Sequence, residues 1–405
     1  GDVTAENGEL GALLLDPENI TITSDTFDPT DLSGGVFWFD PSNAGTVTLA
    51  GADVSQINDQ FTTIGGSNNA TQGTAGDRPS LLAINGRNAL DWDGTEELDI
   101  ANNNSINTST SDDRVIMTAF RTSGDVTTRQ YIYEQGGGTN GYGVYIEGNQ
   151  LIVGGWRNSG SSWNNYATAP ISANETYVIA LNQDRSANVM DVWVNGAKIT
   201  TFTNVSAGQS SHSGDIQFGA SGNSRLNGGG DPGNCCNFTG QIGEMIQYET
   251  ALTDAEVKES QQYLALQWGA TLDAPGENYT ISLEVLENQL AGANITLQAE
   301  DNITIDDIAD DSLDLAMDGT GSFTLIADND ADGIGTISMD ASDAIVTQGG
   351  DITMTGAVID VNDITSNGGD VTLSATAALT ADVINAGAGN FALTADSNND
   401  SAAVA

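Results

Sequence analysis

Histidine, cysteine, proline and basic side chains are scarce here. The 405 residues include one His, two Cys, seven Pro and ten Lys+Arg. A single histidine, His212, with no cysteines at metal-ligand spacing supports neither a zinc site nor a His-based catalytic triad. Two cysteines, adjacent at Cys235 and Cys236, make no disulfide framework for a chain this long. Ten basic against 56 acidic residues give a formal net charge of -46. A field of that sign repels nucleic acid and anionic membrane surfaces. It suits divalent cations or a salt-rich medium, with solubility through self-repulsion as the plain alternative. No apolar run approaches the roughly 18 residues of a membrane span, and no signal peptide is present. Any secretion signal is therefore expected upstream, in a longer parent protein.

What is present is an all-β composition. Hydrophobic residues make up 39% and charged residues 16%, which is not the signature of disorder. Glycine is abundant, and Thr, Ile, Val, Asn and Asp dominate, as strands and turns require. The chain is not uniform. Every basic residue falls between Arg78 and Lys258, and every tryptophan between Trp38 and Trp268. Gly1-Asp2-Val3-Thr4 is echoed by Gly350-Asp351-Ile352-Thr353 and Gly369-Asp370-Val371-Thr372. A repetitive scaffold interrupted by an inserted domain is expected.

The C-terminal third repeats at about 19 residues, the scale of a solenoid. Gly349-Gly350, Gly368-Gly369 and Gly387 punctuate it, followed by Asp351-Ile352-Thr353-Met354, Asp370-Val371-Thr372-Leu373 and Asn390-Phe391-Ala392-Leu393. Apolar residues two apart share one face of a strand. Units this short bury that face only by stacking, about 4.8 Å per coil, so a parallel β-helix is expected. A β-sandwich is the alternative, disfavoured by the fixed period. Leu13-Leu14-Leu15-Asp16-Pro17-Glu18-Asn19-Ile20-Thr21-Ile22 and the segment from Thr280 to Leu297 resemble the filamentous-haemagglutinin-like secreted adhesins. The resemblance covers residues 1–25 and 276–405. It implies a secreted, rod-like, surface-exposed β-helix, often exported by a partner transporter in an outer membrane, as in a Gram-negative-type bacterium.

The middle reads as a sandwich. Val36-Phe37-Trp38-Phe39, Val115 to Phe120, Tyr177 to Leu181 and Met190 to Val194 are strand candidates, with Asn195-Gly196 and Glu147-Gly148-Asn149 as hairpin turns. Thr253-Asp254-Ala255-Glu256 is a capping box opening a helix whose apolar side holds Val257, Leu264 and Trp268. Phe37 to Ala44, Asn85 to Gly94, and Gly240 to Tyr248 followed by a helix ending Trp268-Gly269 resemble concanavalin-like, laminin-G-type lectin domains. That resemblance implies a two-sheet jelly roll, frequent structural calcium, and carbohydrate or protein binding by edge loops.

Candidate sites follow, each with its plain alternative. Trp163, Asn164, Asn165 and Tyr166 combine a stacking surface with amides and are assigned to ligand binding. Trp156 beside them is assigned to packing. Asp231, Asn234, Cys235 and Cys236 lie in a glycine-rich loop. A Cys235–Cys236 disulfide there would form a rigid apolar platform for a sugar, although a loop clip or two free thiols are alternatives. Asp328, Asp330, Asp332 and Gly333 have the D-x-D-x-D-G form of a calcium loop. Met339 at the twelfth position excludes an EF-hand, and an acidic turn is the alternative. Asp91 and Asp93 are a second calcium candidate, or ordinary solvent-side strand residues. Glu97 and Asp99 approach the acid pattern of glycan hydrolases, but the third acid position is Asn102, so an enzyme is not expected.

The expected architecture is therefore all-β: β-helix coil in 1–28, a concanavalin-like sandwich over 29–271, and β-helix repeats over 272–405. The expected function is a non-enzymatic surface adhesin fragment that binds carbohydrate or a neighbouring surface protein, with structural calcium and no nucleic acid or membrane insertion. A self-assembling extracellular filament is the alternative.

Overall fold

The computed structural model describes residues 12–15, 17–23, 27–61, 68–102, 106, 113–157, 163–205, 214–220, 236–272, 278–287, 289 and 291–395. The fold is mostly β. The chain divides into two compact units, residues 28–273 and residues 1–27 with 274–405.

In the flanking unit every pairing among the described strands is parallel. Asn294–Gln298, Ser322–Ile326, Asp351–Asp360, Val371–Thr380 and Phe391–Thr394 pair in succession. A second stack runs through Asn278–Ser282, Asn19–Thr23, Ile303–Ile305 and Thr336–Met339. A four-stranded sheet holds Ser312–Leu315, Ala344–Thr347, Asp363–Thr365 and Ile384–Asn385. The alternation seen in sequence becomes two apolar ladders, Ile295–Phe323–Ile352–Val371 and Leu297–Leu325–Met354–Leu373, all buried. At Phe391–Thr394 the ladder reaches the sheet edge, where Phe391 is 65% exposed.

The expected period of about 19 residues holds only for the later rungs. Partner residues are 28 apart from Ile295 to Phe323 and 29 apart from Phe323 to Ile352. They are 19 apart from Ile352 to Val371 and 20 apart from Val371 to Phe391. One difference lies at a corner. Between Ser322–Ile326 and Thr336–Met339 the chain makes an exposed acidic loop. At the matching place on the next rung Asp351–Asp360 runs through as one strand. The longer rungs carry extra loop without altering the face each strand presents.

The inserted unit is an antiparallel sandwich. One sheet has nine strands, in the order Asn165–Pro170, Gln150–Trp156, Gly141–Glu147, Gln130–Gly136, Ile216–Phe218, Leu98–Ile100, Ala70–Thr71, Asp53–Ile57 and Val47–Ala50. The other has eight, with Arg114–Thr122 and Thr239–Tyr248 at its centre. The core between them includes Phe37, Phe39, Ile116, Phe120, Tyr133, Val144, Phe218 and Met245. Arg114–Thr122 lacks the apolar–polar alternation of a half-buried strand, with Thr118 the one polar residue between Val115 and Phe120, because both its faces are covered. Ile116 and Phe120 face the sandwich core. Val115, Met117 and Ala119 pack in a second cluster with Val257, Leu264 and Trp268 of the helix Asp254–Trp268.

That helix has the expected reciprocal cap. Glu256 N donates to Thr253 Oγ1 at 3.3 Å, and Thr253 N donates to Glu256 Oε2 at 2.7 Å. Gly269 ends it in the left-handed region at φ 71°.

One buried carboxyl ties this helix to the sheet. Glu244, fully buried on Thr239–Tyr248, accepts from Trp38 Nε1 at 2.7 Å, Tyr263 OH at 2.9 Å and Trp268 Nε1 at 3.0 Å. Burial, reinforced by the charge of Asp40, pushes its pKa up from 4.5 to about 7, against the pull of those three donors. The folded chain therefore holds a proton that the unfolded chain releases above about pH 4.5. The contribution is full below that pH and is lost as pH rises through about 7. This group should lower stability by on the order of 3 kcal/mol across that window. Urea unfolding at pH 4.5 and pH 8 should show the fall in the native chain and a smaller fall in Glu244→Gln. An equal fall in both would exclude Glu244 as its source.

Candidate functional site

Register across the nine-stranded sheet assembles a row of residues remote from one another in sequence. Tyr166, Gly154, Gly143, Glu134, Gln217, Asp99, Thr71, Gln56 and Thr48 lie opposite one another, strand by strand. Their neighbours one step along, among them Val153, Val144, Tyr133, Phe218 and Leu98, belong to the sandwich core. Successive side chains alternate faces, so the polar row lies on the sheet face turned away from that core.

One half of this face is aromatic. Tyr131, Tyr145, Ile152, Trp156 and Trp163 form a buried cluster. Trp156 and Trp163 stack with centroids 5.5 Å apart, and Tyr145 meets Trp163 edge-on at 5.3 Å. The glycines of the row make this possible, because a Cβ at Gly143 would come within 2.8 Å of the Trp163 ring. Trp163 is 3% exposed. This corrects its assignment to ligand contact: it packs, as Trp156 does, and offers no free ring face. Tyr166, at the end of the polar row, is 39% exposed. Asn164 is exposed, and its Oδ1 accepts from Arg157 N at 2.5 Å. Asn165 is half-buried on the same strand as Tyr166.

The other half is polar. Glu134 is 1% exposed, while Gln217 and Asp99 are half-buried. Burial is the largest cause that pushes the Asp99 pKa from 3.8 to about 6. The charges of Glu97 and Asp215 add to it, and the Gln217 side chain works against it. Asp99 Oδ1 and Gln217 Oε1 are buried atoms with no hydrogen-bond partner among the described residues. Glu97 accepts from Gln72 Nε2 at 3.3 Å, and Asn102 N donates to Asp215 Oδ1 at 2.7 Å.

Asp231, Asn234 and Cys235 lie outside the described residues. Cys236 is disulfide-bonded, in a chain with one other cysteine. It sits at φ 70° and packs on the aromatic cluster, and its carbonyl accepts from Tyr131 N at 2.7 Å.

In the flanking unit, Asp328, Asp330 and Asp332 each bring a carboxylate oxygen within 4.8 Å of the others. Backbone turns hold them there: Gly333 N donates to Asp328 Oδ1 at 2.8 Å and Ile334 N to Asp332 Oδ1 at 3.0 Å. Asp91 and Asp93 join no such group of three among the described residues. Burial raises the carboxyl of Asp91. Hydrogen bonds from Glu96 and Thr95 lower that of exposed Asp93. A further acidic group, Asp307, Asp311 and Asp343, joins residues on different rungs, so no short motif announces it. The row Glu134–Gln217–Asp99 escaped sequence reading likewise. Each is a lone polar residue on an alternating strand, and only strand order unites them.

Residues 117–258 match the concanavalin A-like lectin/glucanases superfamily. No curated protein matches the chain. Solved structures with a similar fold include the CBM40 module of an IT-sialidase from Ruminococcus gnavus, with 16% identity and TM-score 0.31, covering 41% of this chain and 96% of that one. The botulinum neurotoxin serotype G binding domain has 14% identity and TM-score 0.41, with 58% and 54% covered. A SAP-like pentraxin from Limulus polyphemus has 17% identity and TM-score 0.30, with 41% and 74% covered. By the family match, residues 117–258 of the inserted unit are concanavalin-like in fold.

The two aromatics of this face should behave differently on truncation. Trp163→Ala should cost about 3–5 kcal/mol in denaturant unfolding, and Tyr166→Ala less than about 1 kcal/mol. A Trp163→Ala loss as small as that of Tyr166→Ala would remove Trp163 from the core.

Proposed function

We propose that the inserted unit is a non-enzymatic glycan-binding module, with the polar row of the nine-stranded sheet as its binding face. The polar half of the row, Gln217, Asp99, Thr71 and Gln56, on the outward face of a lectin-like sheet, carries the reading, with Tyr166 exposed on the far side of the aromatic cluster. Sugars present hydroxyls that carboxylates and amides bind and apolar ring faces that aromatics stack on. Tyr166, Gln217 and Asp99 supply each kind of group. Asn102 in the third acid position supports binding without hydrolysis. A glycan array should show binding by the intact chain. Asp99→Ala and Gln217→Ala should each weaken it by about tenfold or more, roughly 1.4 kcal/mol, with the unfolding midpoint kept. A chain that retains no glycan removes the reading.

The flanking unit is, in the same proposal, a β-helical stalk of a secreted surface adhesin. In-register parallel ladders support the solenoid, and the resemblance of residues 1–25 and 276–405 to filamentous-haemagglutinin-like proteins supports the secreted setting. The sequence pattern and the convergence of Asp328, Asp330 and Asp332 support calcium as a structural ion of this unit. Calcium at about a hundredfold excess over its Kd should stabilise the chain by about 3 kcal/mol, read as a rise in unfolding temperature. Asp330→Asn should abolish the rise. An unfolding temperature that is the same in calcium and in chelator would exclude the site.

A further inference from the structure

We infer that the binding face is selective for uncharged, hydroxyl-presenting glycans and rejects carboxylated ones such as sialosides and uronates. This rests on the reading of the polar row as a glycan-binding face. The first ground is the chemistry of two oxygen atoms. Asp99 and Gln217 are half-exposed side chains, and their Oδ1 and Oε1, which have no hydrogen-bond partner among the described residues, are both acceptors. They belong to residues directly opposed on neighbouring strands, so their backbones stand about 5 Å apart, within the span of one sugar ring. A hydroxyl can donate to either oxygen, whereas a carboxylate has only acceptors to offer.

The second ground is charge. Glu134 and Asp99 flank Gln217 in the row, and Glu97 and Asp215 stand close enough to raise the Asp99 pKa. None of the described residues of the row is basic. Arg129 is engaged by Glu147 at 2.6 Å, and Arg157 lies past the end of the strand Gln150–Trp156. An anionic ligand would add a like charge to carboxylates already partly withdrawn from water, where screening is weak.

The experiment is a glycan array, with titration of the hits, that pairs neutral oligosaccharides with their sialylated or uronate-bearing counterparts. The intact chain should bind the neutral member at least tenfold more tightly at low salt and neutral pH. The gap should persist in added salt, because these carboxylates are partly withdrawn from it, and should narrow as pH falls below about 6, where Asp99 takes up a proton. Asp99→Asn keeps an acceptor and removes the charge, so it should narrow the gap while still binding the neutral member. Equal or tighter binding of the acidic members by the intact chain overturns the inference and leaves the glycan-binding face standing. Binding of no glycan at all removes the face and the inference with it.

Discussion

Register between strands is the constraint on which both units depend. A strand repeats every two residues, so shifting a pairing by one residue exchanges its two faces. In the nine-stranded sheet the present register turns Val153, Val144, Tyr133, Phe218 and Leu98 into the core and Gly143, Glu134, Gln217 and Asp99 away from it. A slip would bury two carboxyls in the sandwich and expose aromatics, and neither is tolerable. In the flanking unit the same rule stacks Ile295, Phe323, Ile352 and Val371 into one dry column. The alternation that secures the fold also selects the polar surface available for recognition.

Covering layers decide how much of that surface remains available. Strands covered on both faces lose their alternation, as Arg114–Thr122 does beneath the helix Asp254–Trp268. On the nine-stranded sheet the aromatic cluster performs the same service over one half only. Gly143 has no side chain beneath Trp163, so the indole lies close against the sheet. The polar half is partly withdrawn from water as well, and that burial, with the charges of Glu97 and Asp215, raises the Asp99 pKa to about 6. Glu244 shows the same effect taken further: full burial raises its pKa to about 7 even with three donors aimed at it.

Local signals carried most of the architecture. The capping box at Thr253 and Glu256, the apolar side of the helix and the all-β class depend on short-range periodicity, and the structure contains them. The Asp328–Gly333 cluster was legible for the same reason, since its carboxylates lie within one turn. Where sequence reading failed, a third dimension intervened. Trp163 next to Asn164 and Tyr166 looks like a stacking platform, but it is folded over Gly143 into a cluster with Tyr145 and Trp156. The repeat of about 19 residues described the later rungs only. Loops at the corners lengthen the earlier ones without touching the ladder.

By itself, then, the sequence determined the all-β class, the parting of an acidic repetitive flank from a tryptophan-bearing insert, the helix and its caps, and one acidic turn. Each depends on interactions among residues close together along the chain. The tertiary structure alone decided which polar residues meet. Glu134, Gln217 and Asp99 come from strands scattered through the insert, and Asp343 meets Asp307 and Asp311 from a neighbouring rung. Strand order is chosen by the joint burial of whole faces, a property of the assembled sheets that no single segment encodes.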